Sequence, residues 1–425
     1  MSPDESKIIF ANVETMPEPP SRFPRMLAAL HHANFRLFWF GQMISLVGTW
    51  MQTVALGWLV LQITNSPFLL GLVSTLGTLP VLIVAPLGGV LADSLNKRNV
   101  IIITQVTAMT LAFILATLVF TDRVQYWHII ILASTLGIAM AVDAPTRQSF
   151  TVEMVGKKDL LNAIALNSSI FNLARILGPA FAGLIISTIG LVLCFYVNAI
   201  SYLAVIAGLL IMKGNFAPAN KKRGSMIKDI RQGFGYARRD KRIMSLITLV
   251  AISSIFIMPY AMLMPIFARD ILDVGARGLG ILLSGAGIGA LIGALSLAAF
   301  SNYKKKGRFV FTGSIVFTLA TLLFSFSNNY HLSVLLLVFI GWGMVMQNAS
   351  VNSLLQTIAP DHLRGRIMSL FVLFFMGVMP FGSFQAGFIA HHLGARMALR
   401  IGGGVVALVV YYIFSRNREL VNVEG

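Results

Sequence analysis

Apolar residues in this chain run in long blocks rather than in alternation. Twelve blocks of about 18 to 27 residues stand out: Leu37–Ile63, Phe68–Ala92, Val100–Phe120, Trp127–Thr146, Ala163–Ile186, Leu191–Met212, Ile243–Phe267, Leu279–Phe300, Phe309–Phe326, Leu332–Leu354, Ile367–Ala390 and Met397–Phe414. Each is long enough to cross a hydrocarbon core of about 30 Å as a helix. Barrel strands would read as short alternating segments, so the pattern predicts an all-α membrane protein with twelve transmembrane helices. Composition agrees: 56% of residues are apolar and 12% charged, against roughly 25% charged in a soluble domain.

The net charge of +17 raises the question of nucleic acid. Sorting the cations along the alternating segments removes it. Of 33 Lys and Arg residues, 27 fall on the side of the N-terminus and five on the other (Arg123, Arg269, Arg277, Arg396 and Arg400); Arg175 lies within a block. That asymmetry is the positive-inside rule and predicts both termini in the cytoplasm. The basic character then reflects topology, and no nucleic-acid partner is expected. Cys194 has no second cysteine to pair with, which excludes a disulfide or thiolate-metal framework. Met1–Pro24 is polar, bears prolines and has no apolar core of a signal peptide, so it reads as a cytoplasmic tail.

A basic stretch between the sixth and seventh blocks divides the chain. The expected organisation is a tail over 1–33, a first bundle over 34–212, a linker over 213–242, a second bundle over 243–416 and a tail over 417–425. Ten cations face two aspartates in the linker, where Ile227, Ile230 and Phe234 recur at helical spacing. Either a short amphipathic helix on an anionic leaflet or a solvated loop with a helical turn fits them. A shift of 204 residues superimposes Ser149 on Ser353, Leu166 on Leu370, Gly178 on Gly382, Gly183 on Gly387 and Gly190 on Gly394. Two six-helix halves related in this way imply pseudo-symmetric bundles with a binding site at their seam. Gly285, Gly289 and Gly293 in the eighth block, and Ala174, Gly178 and Ala182 in the fifth, form small-residue stripes that let helix backbones approach closely in lipid.

After the second block the chain reads Gly89-Val-Leu-Ala-Asp93-Ser-Leu-Asn-Lys97-Arg98. This resembles the loop signature of the major facilitator superfamily, Gly-x-x-x-Asp-Arg-x-Gly-Arg-Lys, departing from it at Ser94 and Asn96. Leu177-Gly178-Pro179-Ala180-Phe181-Ala182-Gly183 looks like the Gly-Pro-x-x-Gly element of its exporters and antiporters. Asn34-Phe-Arg-Leu-Phe-Trp, Asp143-Ala-Pro-Thr-Arg147-Gln, Ala163-Ile-Ala-Leu-Asn167-Ser and Arg364-Gly-Arg366-Ile-Met-Ser narrow the likeness to the bacterial branch of enterobactin exporters and macrolide efflux proteins. The resemblance implies the major facilitator fold, a multi-pass protein of the bacterial inner membrane, monomeric action, and ion-gradient-driven efflux of a medium-sized organic molecule. In that reading Asp93, Lys97 and Arg98 latch one access state. One departure bears on the driving ion: four residues before Gly137 stands Ala133, where proton-driven drug antiporters usually carry arginine.

A charge at the bilayer centre costs roughly 2.5–3.5 kcal/mol even on the permissive insertion scale, so the few polar residues inside the blocks are candidates for function. Arg175 lies about thirteen residues into the fifth block, roughly 18–20 Å along it. Ser168 and Asn172 precede it on one face. Either Arg175 faces a central cavity, where it meets an anionic or carbonyl-rich cargo or takes part in the transport switch, or backbone carbonyls and neighbouring amides satisfy it. Gln42, Ser45, Thr49 and Gln52 line one side of the first block, and Gln347 and Asn348 lie in the tenth. Since the first, fourth, seventh and tenth helices line the cavity in the resembled family, these residues are candidate cargo contacts; interhelical hydrogen bonding is the alternative. A region from Pro259 to Pro265 should be irregular. Asp143 and Arg147 sit one helical turn apart, a favourable pair, and read as a gate with Asp93, Arg364 and Arg366 nearby, or with Asp143 as a proton relay. No cluster offers a metal cage and no glycine-rich loop carries the lysine of a nucleotide site, so no cofactor is expected. Other readings are a lipid or lysolipid flippase on the same fold, and a non-transporting receptor or scaffold; an enzyme is disfavoured.

Overall fold

A computed structural model describes residues 25–214, 226–300, 303 and 305–423, without the side chains of 25–26, 85–93 and 226–231. After a 3-10 turn over Arg25–His31, six helices follow: α1 (Ala33–Thr64), α2 (Pro67–Ser94), α3 (Lys97–Phe120), α4 (Tyr126–Val155), α5 (Leu160–Thr188) and α6 (Leu191–Ile211). The linker contains α7 (Met226–Ala237). Polar caps set the starts: the Asn96 side chain accepts from the Asn99 amide at 3.3 Å, and Asn329 from Leu332 at 3.0 Å.

The seventh span breaks where the prolines fall. It comprises α8 (Lys241–Phe256), α9 (Tyr260–Ile266) and a π turn over Phe267–Ile271. Then come α10 (Gly275–Ala299), α11 (Gly307–Phe326) and α12 (Tyr330–Ile358). The eleventh span is interrupted likewise, as α13 (Arg364–Val372), a π turn and α14 (Met379–Leu393); α15 (Ala395–Arg416) is last. Among the described residues twelve spans are long and apolar enough to cross a membrane.

In one bundle α1 packs on α5 and α6, α2 on α4, and α3 on both α4 and α6; in the other α10 and α11 pack on α12, and α11 and α14 on α15. The bundles meet through α5 with α10 and α2 with α14. The 204-residue repeat reappears as equivalent packing. A Cβ on Gly178 would lie 2.4 Å from that of Trp50 on α1, and one on its counterpart Gly382 would lie 2.7 Å from the Ile255 carbonyl on α8. Gly183 abuts Gly280 of α10, and its counterpart Gly387 abuts Gly71 of α2. Gly190 and Gly394 start α6 and α15 at φ values of 122° and 86°, where other residues are strained.

Both described chain ends and the linker share one face, here called proximal. The Asn34 side chain donates to the Lys213 carbonyl at 2.8 Å, Asn417 donates to Ser245 at 3.1 Å, and the Gly307 amide donates to Val423 at 3.3 Å.

Candidate functional site

Between the bundles lies a cavity of about 580 Å³. The α1 face gives it Trp50, Gln52, Thr53 and Gly57; α2 gives Ser74 and Thr78; α4 gives Met140; α5 gives Arg175 and Pro179. From the second bundle come Met258, Tyr260, Met262 and Pro265 around the broken span, with Met344, Met379 and Ser383. Methionine is flexible and polarisable, so this wall can adapt to apolar bodies of different shape. Among the described residues, Arg175 is the one charged side chain in the lining, and no carboxylate joins it. Its guanidinium carbon stands 5.9 Å from the centre of the Trp50 ring, and one nitrogen lies 3.6 Å from the Met344 sulfur across the seam. Ring and thioether hold the cation in place without neutralising it. The arrangement therefore offers an uncompensated positive charge inside an apolar, low-dielectric pocket.

On the face away from the chain ends, the distal face, the seams are shut. The hydroxyls of Ser74 and Ser383 are 3.1 Å apart, and Thr75 donates to the Pro380 carbonyl at 3.1 Å. Arg269 donates to the Leu61 carbonyl at 3.1 Å and also reaches Asn65, tying α1 to the end of the seventh span. Phe68 stacks edge-on against Phe384 at 5.8 Å. Ser284 donates to the Ile176 carbonyl at 2.7 Å, and glycines let α5 and α10 touch backbone to backbone. Toward the proximal face the same stripes come apart. On α5, Pro179 and Gly183 are buried, Arg175 and Asn172 are half-buried, and Ser168, Ala165 and Leu161 are exposed. Along α10, Gly280, Ser284 and Gly287 are buried, whereas Leu295 and Ala298 are exposed. The cavity is thus closed distally, and the seam between the bundles widens proximally.

Of the residues expected to meet cargo, Arg175 and Gln52 line this cavity. Gln52 is also held from behind, accepting from Asn198 of α6 at 2.5 Å. Ser168 and Asn172 lie proximal to Arg175, with the Asn172 amide donating to the Ser168 carbonyl at 2.9 Å. Ser45 is buried and receives the Thr49 hydroxyl on its carbonyl at 2.9 Å. Gln42 is half-buried, and its side-chain oxygen has no partner among the described residues. Gln347 is fully buried and donates to Ser253 of α8 at 3.0 Å, which is an interhelical bond inside the second bundle. Asn348 donates back to the Met344 carbonyl at 2.9 Å.

Among the described residues, the acid and base one turn apart on α4 pair with each other. Asp143 is paired with Arg147 within α4 and accepts from Thr104 at 2.6 Å and Gln105 at 3.3 Å, both on α3. Arg147 also lies 5.8 Å over the Phe38 ring of α1. These partners among the described residues belong to the first bundle. Arg364 instead bonds Asp361 and the Gln356 carbonyl, and the backbone of Arg366 packs against Gly233 of α7. Lys97 is buried and paired with Glu153 at the end of α4, while Arg98 donates to the Leu210 carbonyl at 2.9 Å. The Asp93 side chain lies outside the described residues, as do those of Ile227 and Ile230; Phe234 is exposed. The glycine stripe of α10 faces inward as well. Gly285 and Gly289 pack against Val334 and Val338 of α12 and Gly293 against Trp342, so the seam with α5 is made by Gly280, Ser284 and Gly287.

Sequence reasoning missed the methionines, Trp50 and Tyr260 of the cavity, because apolar lining looks like apolar core. It also missed Asn198 and Glu153. For Asn198 a signal existed: an amide amid the sixth apolar block, with Ser201 and Tyr202 one turn on. At the start of the seventh span, Asp240 caps α8. Burial there would raise its pKa, but the hydrogen bonds and charge of Arg242, with the Arg242 and Ile243 amides, outweigh that and hold it below the ordinary carboxylate range.

Two six-helix bundles around a central cavity closed at one mouth define a membrane transporter of the major facilitator type. The chain belongs to the family described as "Transmembrane secretion effector", whose model matches residues 25–424. It is similar to the staphyloferrin A transporter of Staphylococcus aureus, at 25% identity over 91% of this chain and 97% of that one. Similarity extends to the multidrug efflux pump Tap of Mycolicibacterium fortuitum, at 26% over 90% and 96%, and to the enterobactin exporter of Shigella flexneri, at 24% over 80% of each. Among solved structures, the nucleoside transporter NupG superimposes with a TM-score of 0.68 at 13% identity, covering 92% of this chain and 98% of that one. The D-xylose–proton symporter does so with a TM-score of 0.68 at 12%, with the same coverage. These relatives are transporters, not enzymes.

Proposed function

We propose that this chain is a secondary active exporter of a medium-sized organic molecule, siderophore-like or drug-like, in a bacterial cytoplasmic membrane. The observation that carries the proposal is the cavity at the seam, sealed distally and holding one unpaired cation among aromatic and thioether groups. Relatives named for a siderophore and for drugs support the cargo class. With the cation-rich proximal face in the cytoplasm, the conformation is open inward, the state that loads an exporter. Bundles over 34–212 and 243–416, joined by the linker, rock as units and expose the cavity to each side in turn. Arg175 receives the anionic or carbonyl-rich end of the cargo and the methionines its apolar body; Gln52 and, along the entry path, Asn172 and Ser168 add hydrogen bonds. The driving force is a proton or other ion gradient, and one copy suffices. The Asp143 pair braces α3, α4 and α1 so that the first bundle moves as a block.

Uptake of a radiolabelled siderophore or drug panel into inverted vesicles under an imposed proton gradient tests this. Arg175→Ala should lower transport of the accepted cargo about tenfold or more, the loss of one charge-assisted contact worth roughly 1.5–3 kcal/mol, whereas Arg175→Lys should retain part of it. Unchanged transport in Arg175→Ala and Asp143→Asn would remove both assigned roles.

A further inference from the structure

A second cleft, of about 800 Å³, opens on the proximal face between the end of the linker and the turn after α15. Five cations line it: Arg239, Lys241, Arg242, Arg416 and Arg418. Among the described residues two carboxylates oppose them, Asp240 and Glu419. One of these, Asp240, is engaged by Arg242, whose guanidinium donates at 3.0 and 3.3 Å and whose amide donates at 2.9 Å. The side chains of Arg239, Lys241, Arg416 and Arg418 make no ion pair or hydrogen bond among the described residues. Clustered unpaired cations repel one another, a cost that a multivalent anion would offset.

The cleft has a fixed wall. Asn417 bonds Ser245, the Gly307 amide bonds Val423, and Leu420 is buried with its carbonyl against Gly307. Arg416 and Arg418 are therefore presented from an anchored turn. Its depth is informative too, because α8 begins and α15 ends here, at the edge of the apolar spans. One turn inward Tyr411 and Tyr412 are 75% and 62% exposed, the position of an interfacial aromatic belt.

From these observations we infer that the cleft is a binding site for phosphate-bearing anions, with the phosphate oxygens among Arg239, Lys241, Arg416 and Arg418. Guanidinium groups match phosphate bidentately. Two sources share this chemistry: the headgroup of an anionic phospholipid, its chains running past Tyr411 and Leu408, and soluble phosphate or pyrophosphate. The site is separate from the central cavity and stands independently of the export proposal.

The test uses the full chain in phosphatidylcholine nanodiscs, with diphosphatidylglycerol added in one arm and pyrophosphate in the other. Native mass spectrometry reads bound lipid, and isothermal titration reads pyrophosphate. Wild type should retain diphosphatidylglycerol over phosphatidylcholine about tenfold or more, or bind pyrophosphate; whichever arm responds identifies the source. The double variant Arg416→Gln/Arg418→Gln should weaken that binding about tenfold or more, as expected for two cations removed near an anionic surface, while Arg123→Gln on the distal side should not. Thermal midpoints in pure phosphatidylcholine check folding, and Lys241→Gln serves if the double variant unfolds. Absence of both preferences in wild type, or equal binding in the cleft variants, would overturn the inference.

Discussion

At the residue scale, the buried ion pair on α4 shows how polar groups in an apolar bundle acquire opposite uses. Asp143 and Arg147 pair with one another, and Thr104 and Gln105 take up further carboxylate capacity. Arg175 has a ring and a thioether in place of a carboxylate. The first arrangement is closed to a ligand and the second is open to one. Replacing Asp143 with alanine strands the Arg147 guanidinium inside the bundle, a loss on the order of 3 kcal/mol. Thermal unfolding in detergent should register it, with Asp143→Asn less affected because Thr104 and Gln105 keep a partner. Both the i,i+4 spacing of this pair and the isolation of Arg175 were legible along the chain. The identity of the pair's other neighbours was not, since Thr104, Gln105 and Phe38 come from two other helices.

At the element scale, small residues decide how close helices come, and helix ends decide where they begin. Gly289 sits so near the Val338 carbonyl that an added Cβ would fall 1.8 Å from it. Gly289→Ala should therefore push α10 from α12 and cost roughly 1–3 kcal/mol; an unchanged melting temperature would contradict that packing. The glycine stripe was visible in the sequence, but the face it serves was not, because a stripe fixes a helix's contact side without naming its partner. At the start of α8, the carboxylate of Asp240 has its pKa lowered. A group with a depressed folded-state pKa contributes stability above its unfolded value and loses it as pH falls through the folded value. Acidification below the usual aspartate range should thus lower the wild-type melting temperature more than that of Asp240→Asn. Equal pH profiles would remove the cap's charge from the account.

At the scale of the whole molecule, the two bundles touch along distal seams and part proximally. If transport requires those seams to open, then Ser74→Cys with Ser383→Cys, whose parent hydroxyls are 3.1 Å apart, should form a disulfide under oxidation and stop transport reversibly. The native thiol, Cys194, is buried and leaves the background clean. Continued transport by the cross-linked protein would mean that this seam is static.

Twelve membrane-length apolar blocks, the repeat at 204 residues and an arginine in the middle of the fifth block were all legible in the order of residues. Each follows from local rules: the length that lipid demands, the copying of a helical unit, and the cost of charge in hydrocarbon. Tertiary structure alone decided which polar residues meet at the cavity and which are spent on neighbouring helices. It paired Lys97 with Glu153 and Gln52 with Asn198. It also chose which mouth is shut. Those outcomes depend on the rotation of each helix about its axis and on the tilt between bundles, and neither is specified by the periodicity of a single helix.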